Sequence, residues 1–247
     1  MTIAIGVGGN KLVDKAIKEI DFEVIRVESE DQLLDLLIEG HVDAVVRGSL
    51  SASKIMNKIR DLSREHIYRA SFLEIDNQKF FLAPVGIDEG DSISDKVRII
   101  EKSSEFLKDI GITPKIGVIS GGRAQDIGRS RKIDESILEG REVVRITKDK
   151  YPVKHYYILI EDAIKDGCNL ILAPDGISGN LIFRTLVFLG SGISYGAVTL
   201  GFDKIFIDTS RSQSMDGFVR ALRFANYLVN LKSRNKDVNF NSNLQGL

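Results

Sequence analysis

The sequence predicts a two-lobed, three-layer α/β/α protein with mostly parallel sheets. Short apolar runs alternate with amphipathic helical patterns along nearly all of the 247 residues, and this alternation favours parallel strands with helices on both faces. Most apolar runs end in a polar or glycine-rich turn that opens the next helix. A hairpin pattern interrupts the alternation near the middle of the chain, which indicates a division into two lobes.

The composition is that of a soluble globular protein. Hydrophobic residues make up 43% and charged residues 28%, and the formal net charge is -1, so we expect no nucleic-acid surface. The single cysteine, Cys168, excludes an internal disulfide and a thiolate metal cluster, and it fits a reducing cytoplasm. Because no apolar run is long enough to cross a bilayer and no signal peptide is recognisable, we expect a cytoplasmic protein without membrane contact.

The N-terminal region reads as three strand–turn–helix units. The predicted strands are residues 3–7, 22–27 and 42–46. The turn Gly8-Gly9-Asn10 contains adjacent glycines but lacks the full spacing of a dinucleotide-binding fingerprint. This turn could bind a ligand or could serve only to connect strand and helix, and the sequence is compatible with both. In the second unit, Ser29 and Gln32 form a capping-box pattern at the start of a helix.

The turn after the third strand reads Arg47-Gly48-Ser49-Leu50-Ser51. An arginine beside a glycine and hydroxyl groups at a helix start suits an anion. The candidate ligand residues here are Arg47, Gly48, Ser49 and Ser51. The serines could equally serve only as helix caps, and the pattern supports both interpretations.

The middle of the chain carries the hairpin pattern. Residues 67–82 alternate around the polar Asp76-Asn77-Gln78, which predicts two antiparallel strands and a lobe boundary near Arg64. The last helix is expected to return to the first lobe. We therefore predict a first lobe of residues 1–64 and 208–247, and a second lobe of residues 65–207. The polar residues from about 232 to the end are predicted to form a loose tail or an oligomer contact.

A further glycine turn follows the predicted strand 115–119. Its candidate ligand residues are Ser120, Gly121, Gly122 and Arg123. Beyond a charge-rich helix, residues 142–146 are predicted to form a strand and residues 156–164 a helix. His155 lies at the start of that helix, and without a metal-site spacing of histidines it is interpreted as structural.

The stretch from Asn169 to Gly217 holds two strand–polar turn–helix junctions. Their candidate residues are Asp175, Ser178, Gly179, Asn180, Ser210 and Arg211. Glycine allows close backbone approach to a ligand, and free amides at a helix start favour an anion. Because ligands sit at the carboxyl ends of parallel strands, we expect all these turns to converge on one cleft between the lobes.

Several segments resemble the phosphotransacetylase/phosphotransbutyrylase superfamily. The likeness is most specific in residues 169–180, 195–201 and 208–211, and residues 42–53 and 114–122 resemble the family's other ligand turns in the same order. The short length of the chain and the residues Arg-Gly-Ser-Leu-Ser-Ala-Ser at positions 47–53 look most like the family's MtxX branch. That branch contains methanogenesis marker proteins labelled as methyltransferase subunit X.

The resemblance implies a fold like that of isocitrate and isopropylmalate dehydrogenases, commonly dimeric, and acyl transfer between phosphate and coenzyme A without a metal. It implies that Ser178, Gly179 and Asn180 line the phosphate or acyl site. It also implies that Ser210 hydrogen-bonds the reacting thiol or carbonyl and that Arg211 stabilises charge on the acyl phosphate.

The chain departs from the family pattern at the catalytic base. Active members place an Asp six residues after the arginine, and Gly217 stands at that position here. Asp216, one residue earlier, is the candidate base, although one residue on a helix turns a side chain by roughly 100°. The middle turn also reads Gly122-Arg123-Ala124 instead of the family's Lys-Gly-Ser.

Two functions follow from these patterns. The first is a binding subunit that keeps the phosphate cleft, in a complex with methyltransferase or corrinoid proteins; the missing in-frame Asp favours it. The second is an active phosphotransacylase that uses Ser210, Arg211 and Asp216 on coenzyme A or an acyl phosphate. Neither predicts a metal or a tightly bound cofactor, and for both we expect a homodimer.

Overall fold

The computed structural model describes residues 1–234 of the chain. In that part the elements are β1 Ile3–Gly6, α1 Leu12–Lys18, β2 Val24–Val27, α2 Glu30–Ile38, β3 Ala44–Val46, α3 Ala52–Leu62, β4 Tyr68–Ile75, β5 Gln78–Ala83, α4 Ile93–Asp109, β6 Ile116–Ile119, α5 Arg131–Thr147, β7 Val153–Tyr157, α6 Ile160–Lys165, β8 Leu170–Leu172, α7 Gly176–Phe188, β9 Ile193–Leu200, β10 Ile205–Asp208 and α8 Met215–Arg234. The first residues of the predicted polar tail, 232–234, belong to α8, and the rest of that tail, from position 235 onward, lies outside the described residues.

The chain divides into two compact units. Unit 1 consists of Met1–Ile67 and the described residues from Ser194 onward, and unit 2 is Tyr68–Ile193. The sequence predicts that the chain returns to the first lobe at residue 208, whereas in the structure unit 1 resumes at Ser194. The difference is β9, which pairs antiparallel with β10 and is therefore held in unit 1.

The sheet of unit 1 has the strand order β2-β1-β3-β10-β9. The first four of these strands are parallel to one another. Helices α2 and α3 cover one face, where Leu33, Leu37 and Ile55 form a core cluster with Val45 and Phe206. Helices α1 and α8 pack together and α8 lies against the central strands on the other face. The N-cap half of the predicted capping box at α2 is confirmed, because Ser29 is the N-cap residue and its Oγ accepts the Gln32 N–H at 3.5 Å.

The sheet of unit 2 has the strand order β4-β5-β8-β6-β7. The predicted hairpin is confirmed: β4 and β5 are antiparallel, and Asp76 and Asn77 have positive φ values at its turn. Strands β5, β8, β6 and β7 are parallel. The predicted class, α/β with mostly parallel sheets, therefore holds. No helix within residues 1–234 has the length and apolarity that crossing a membrane requires.

Two local predictions in unit 2 are wrong. Residues 142–146 are helical and lie in the last turns of α5, which runs to Thr147. The buried residues of this helix, Ile137, Gly140, Val143 and Thr147, recur every three or four positions. Residues 153–157 form β7, so His155 lies on a strand and the following helix begins only at Ile160. Pairing of β7 with β6 outweighs the local helical pattern, as tertiary context commonly does for strands.

Candidate functional site

Three turns of unit 1 lie side by side because the strands before them are neighbours. In the parallel strands β1, β3 and β10, Ile5 is opposite Val46, and Val46 is opposite Ile207. The three strands therefore end at the same level of the sheet. In α/β sheets this carboxyl edge is where ligands bind.

Arg47 holds the β3 and β10 turns together. Its buried guanidinium forms an ion pair with the Asp208 carboxylate, which is also largely buried. It donates further hydrogen bonds to the carbonyl of Leu50 at 2.6 Å and to the carbonyl of Thr209. All of these partners are protein groups, so the structure gives Arg47 a positioning role. Direct contact between Arg47 and an anion stays a prediction.

Gly48 and Ser49 bring the β3 turn against the β1 turn. Gly48 has φ +61°, and a Cβ there would lie 1.9 Å from the Gly6 carbonyl oxygen, so only glycine fits. Ser49 donates its N–H to that same oxygen at 3.1 Å, and its Oγ accepts the Gly8 N–H at 2.8 Å. Ser51 occupies the N-cap position of α3, but its side chain makes no capping hydrogen bond. The capping interpretation therefore does not account for either serine.

Asn10 ties the β1 turn to the β10 turn. Its Nδ2 donates to the carbonyls of Arg211 at 2.9 Å and Gln213 at 3.3 Å, across about 200 residues of sequence. Its Oδ1 accepts the Leu12 N–H at 3.0 Å. One side chain thus fixes the loop that carries Arg211 against the glycine turn.

A cavity of about 470 Å³ opens among these turns and is lined by Gly9, Asn10, Lys11, Ser49 and Arg211. Lys11 and Arg211 are exposed. Within residues 1–234, neither of these two side chains has a hydrogen-bond or ion-pair partner. The lining contains no carboxylate. The cavity therefore presents positive charge without a countercharge, which suits an anionic small molecule.

Of the other two predicted catalytic residues, Ser210 lies beside Arg211 in the loop after β10, and Asp216 lies in α8, which follows that loop. The Ser210 Oγ accepts the Ser212 N–H at 3.3 Å. Asp216 is exposed in the first turn of α8 and does not line the cavity. A Cβ at Gly217 would lie 2.3 Å from the Gln213 side chain, so that side chain fills the space a residue at 217 would need.

Gly9, Asn10 and Lys11 are the residues that sequence reasoning did not assign to the site. The paired glycines were the available signal, but they also fit a turn without a ligand. Only the parallel pairing of β1 with β3 brings this turn to the cavity. Lys11 carries no motif of its own.

In unit 2, the turn after β6 is organised around Ser120. Its buried Oγ lies 2.9 Å from His155 Nε2, and its N–H donates to the Tyr157 carbonyl at 2.7 Å. Burial, together with nearby Arg141, lowers the pKa of His155 to about 4, so the imidazole is neutral near pH 7. The Gly121 N–H donates to Ser136 Oγ at 2.8 Å.

The last two residues of that turn, Gly122 and Arg123, differ from each other in solvent exposure. Gly122 is buried, and a Cβ there would lie 2.8 Å from Ile133 Cγ2. Arg123 is exposed, and its N–H donates to the Asp126 carboxylate at 2.8 Å. The predicted ligand roles of this turn stay predictions.

The start of α7 is capped from within the chain. Asp175 accepts the Ser178 N–H at 2.7 Å and the Ser178 hydroxyl at 3.0 Å. Asn180 donates to the Val85 carbonyl at 2.9 Å. A Cβ at Gly179 would lie 1.9 Å from the Pro84 carbonyl oxygen, so glycine is needed for this packing. These contacts give the four residues structural roles within unit 2, and convergence of both units on one cleft stays a prediction.

The chain closely resembles proteins of methanogens. It is 45% identical over 235 residues to "Putative methyltransferase mtx subunit X" of Methanosarcina barkeri, a match that covers 94% of this chain and 85% of that protein. It is 44% identical over 233 residues to an "Uncharacterized methyltransferase" of Methanocaldococcus jannaschii, with 90% of this chain and 95% of that protein covered. No family model matches the sequence.

Solved structures share the fold at low identity. A branched-chain phosphotransacylase from Enterococcus faecalis has a TM-score of 0.71 at 16% identity, covering 93% of this chain and 99% of that chain. A 4-hydroxythreonine-4-phosphate dehydrogenase from Klebsiella pneumoniae has a TM-score of 0.62 at 13% identity, with coverages of 92% and 99%. The predicted phosphotransacylase-like and dehydrogenase-like fold is thereby confirmed.

Proposed function

The chain belongs to the family of the mtx subunit X proteins, and from this premise we propose that it is a ligand-binding subunit of a methyl-transfer system in methanogens. In this proposal the protein holds a phosphate- or coenzyme A-type small molecule. Its partners are methyltransferase or corrinoid proteins, and it acts in the cytoplasm as a homodimer.

The observation that carries the proposal is the uncompensated positive charge of the unit 1 cavity. The Arg211 side chain has no hydrogen-bond or ion-pair partner within residues 1–234 and lines a cavity of about 470 Å³, a volume in the range of small-molecule sites. A planar guanidinium suits the oxygens of a phosphate or carboxylate. The rigid turns around it support binding, because Arg47 and Asn10 fix the backbone that carries Arg211.

The second candidate function is phosphotransacylase activity. The adjacent Ser210 and Arg211, and the fold shared with a solved phosphotransacylase, favour it. The lack of a carboxylate in the cavity lining speaks against it, because the reaction needs a group that takes the thiol proton. The proposed binding role does not need such a group.

Isothermal titration with inorganic phosphate and coenzyme A tests the proposal. We expect at least one of the two to bind, and Arg211→Gln to weaken that binding about tenfold, as for a charge-assisted contact. Arg223→Gln, an exposed arginine of α8 in the same unit, is the matched control and should bind like the wild type. No binding of either compound, or an unchanged affinity in Arg211→Gln, would refute this assignment.

A turnover assay separates the two candidate functions. Formation of acetyl or butyryl phosphate from the corresponding coenzyme A thioester would favour the enzyme, provided that Ser210→Ala abolishes it. Binding without turnover would favour the subunit.

A further inference from the structure

We propose that the unit 1 cavity selects a dianionic phosphate group over a monoanionic one, with Lys11 as its second cationic ligand beside Arg211. This inference rests on the proposed function, because it names the ionisation state of the ligand bound by the same cavity. Lys11 precedes α1 and stands outside every motif of the sequence.

The first argument is charge balance. Lys11 and Arg211 come from turns after different strands and line one cavity. Neither side chain has a hydrogen-bond or ion-pair partner within the described part of the chain. The acidic side chain at the end of β10, Asp208, is already paired with Arg47. A ligand with two negative charges compensates both cations, whereas a monoanion leaves one of them uncompensated.

The second argument is the direction of the hydrogen bonds. Ser49 is 4% exposed, and its Oγ accepts the Gly8 N–H. Its hydroxyl proton has no acceptor among residues 1–234. Buried hydroxyl groups are normally satisfied, so this donor calls for an acceptor in the cavity.

The hydrogen-bonding groups of Asn10 are also already used within the chain. Its Nδ2 is directed at two backbone carbonyls, and its Oδ1 already accepts the Leu12 N–H. The unpaired polar groups of the lining side chains are therefore donors. A fully deprotonated phosphate offers only acceptors, whereas a protonated phosphate oxygen would direct an O–H donor at them.

Equilibrium binding of a simple phosphate monoester and of sulfate, at pH 5 and pH 8, tests the inference. The second pKa of a phosphate monoester is about 6, so the dianion rises from roughly one tenth of the ligand at pH 5 to nearly all of it at pH 8. We expect the apparent affinity for the monoester to rise roughly tenfold over this range. Sulfate stays a dianion and should bind equally at both pH values.

Lys11→Gln should weaken binding of both anions at pH 8 roughly fivefold, as for the loss of one charge contact in water. Lys18→Gln, at an exposed lysine in the last turn of α1, is the control and should match the wild type. Equal monoester affinity at both pH values would overturn the inference. So would a sulfate affinity that follows pH as the monoester does, or an unchanged affinity in Lys11→Gln. If neither anion binds at either pH, the proposed function itself fails.

Discussion

The buried ion pair between Arg47 and Asp208 should contribute strongly to the free energy of unfolding of unit 1. Asp208→Asn keeps the size of the side chain and an acceptor oxygen but removes its charge. The Arg47 side chain is 6% exposed and the Asp208 side chain 11%, so water cannot replace the lost countercharge. The unpaired cation would remain at the junction of the β3 and β10 turns.

The magnitude follows from this burial. Two unit charges ~4 Å apart attract by ~4 kcal/mol at an effective dielectric constant of ~20. Removing one member of a buried pair typically costs about 3–5 kcal/mol. Because Asn retains an acceptor, we expect the lower value, about 3 kcal/mol. At about 2–4 °C per kcal/mol, the melting temperature of unit 1 should fall by about 6–12 °C.

Thermal unfolding, with hydrogen exchange used to assign the transition to unit 1, provides the measurement. The control is Glu135→Gln, which removes a pair with Arg131 on the surface of α5, where Arg131 is 91% exposed; no measurable change is expected. The double variant Arg47→Met/Asp208→Leu should be more stable than Asp208→Asn, since it leaves no buried charge. A shift in Asp208→Asn no larger than that of Glu135→Gln would refute the reasoning.

Local geometry also makes the protein sensitive to changes at Gly48, His155 and Asn10. Gly48→Ala should destabilise unit 1 by at least ~2 kcal/mol in urea unfolding, because of the positive φ and the backbone carbonyl at 1.9 Å; Gly9→Ala, which meets nothing within 4 Å, should not. The folded pKa of His155, about 4, lies below its ordinary value of 6.5, so the unfolded chain takes up the proton first. The contribution of neutral His155 to the stability of unit 2 should therefore be fully present above pH 6.5 and be lost as the pH falls towards 4; because the ring is only half-buried and partly screened by water, the loss should stay below ~3 kcal/mol. A pH slope unchanged in His155→Gln would contradict this. Asn10→Leu has a similar size, adds no charge to the cavity lining and cannot donate to the Arg211 carbonyl; we expect phosphate affinity to fall roughly tenfold while the melting temperature changes little, and a wild-type affinity would exclude the positioning role.

Much of the fold could be predicted because it depends on local periodicity. The hairpin at residues 67–82 and the units built on β1, β2 and β3 carry clear apolar patterns and turn residues. The errors at 142–146 and 153–157 have a physical cause. In both segments apolar and polar residues fit either period, and pairing with β6 or packing of α5 decided between them.

The candidate site was predicted less completely. Arg211 was identified by its type and position at a strand end, and it lines the cavity. Arg47 looked like the same kind of residue in the sequence, but its guanidinium is turned to Asp208 and to backbone carbonyls. Lys11 could not be found in advance, because nothing in its neighbours along the chain distinguishes it from other surface lysines.

The sequence by itself determined the class of the protein, the order of its strands and helices, and the turns that open helices at strand ends. These depend on hydrophobic period, glycine and capping residues, which act over a few positions. Only the tertiary structure decided which of the charged side chains are left without a partner. That depends on contacts such as Asn10 with Arg211 and Arg47 with Asp208, which join residues more than 150 positions apart, and no local pattern encodes them.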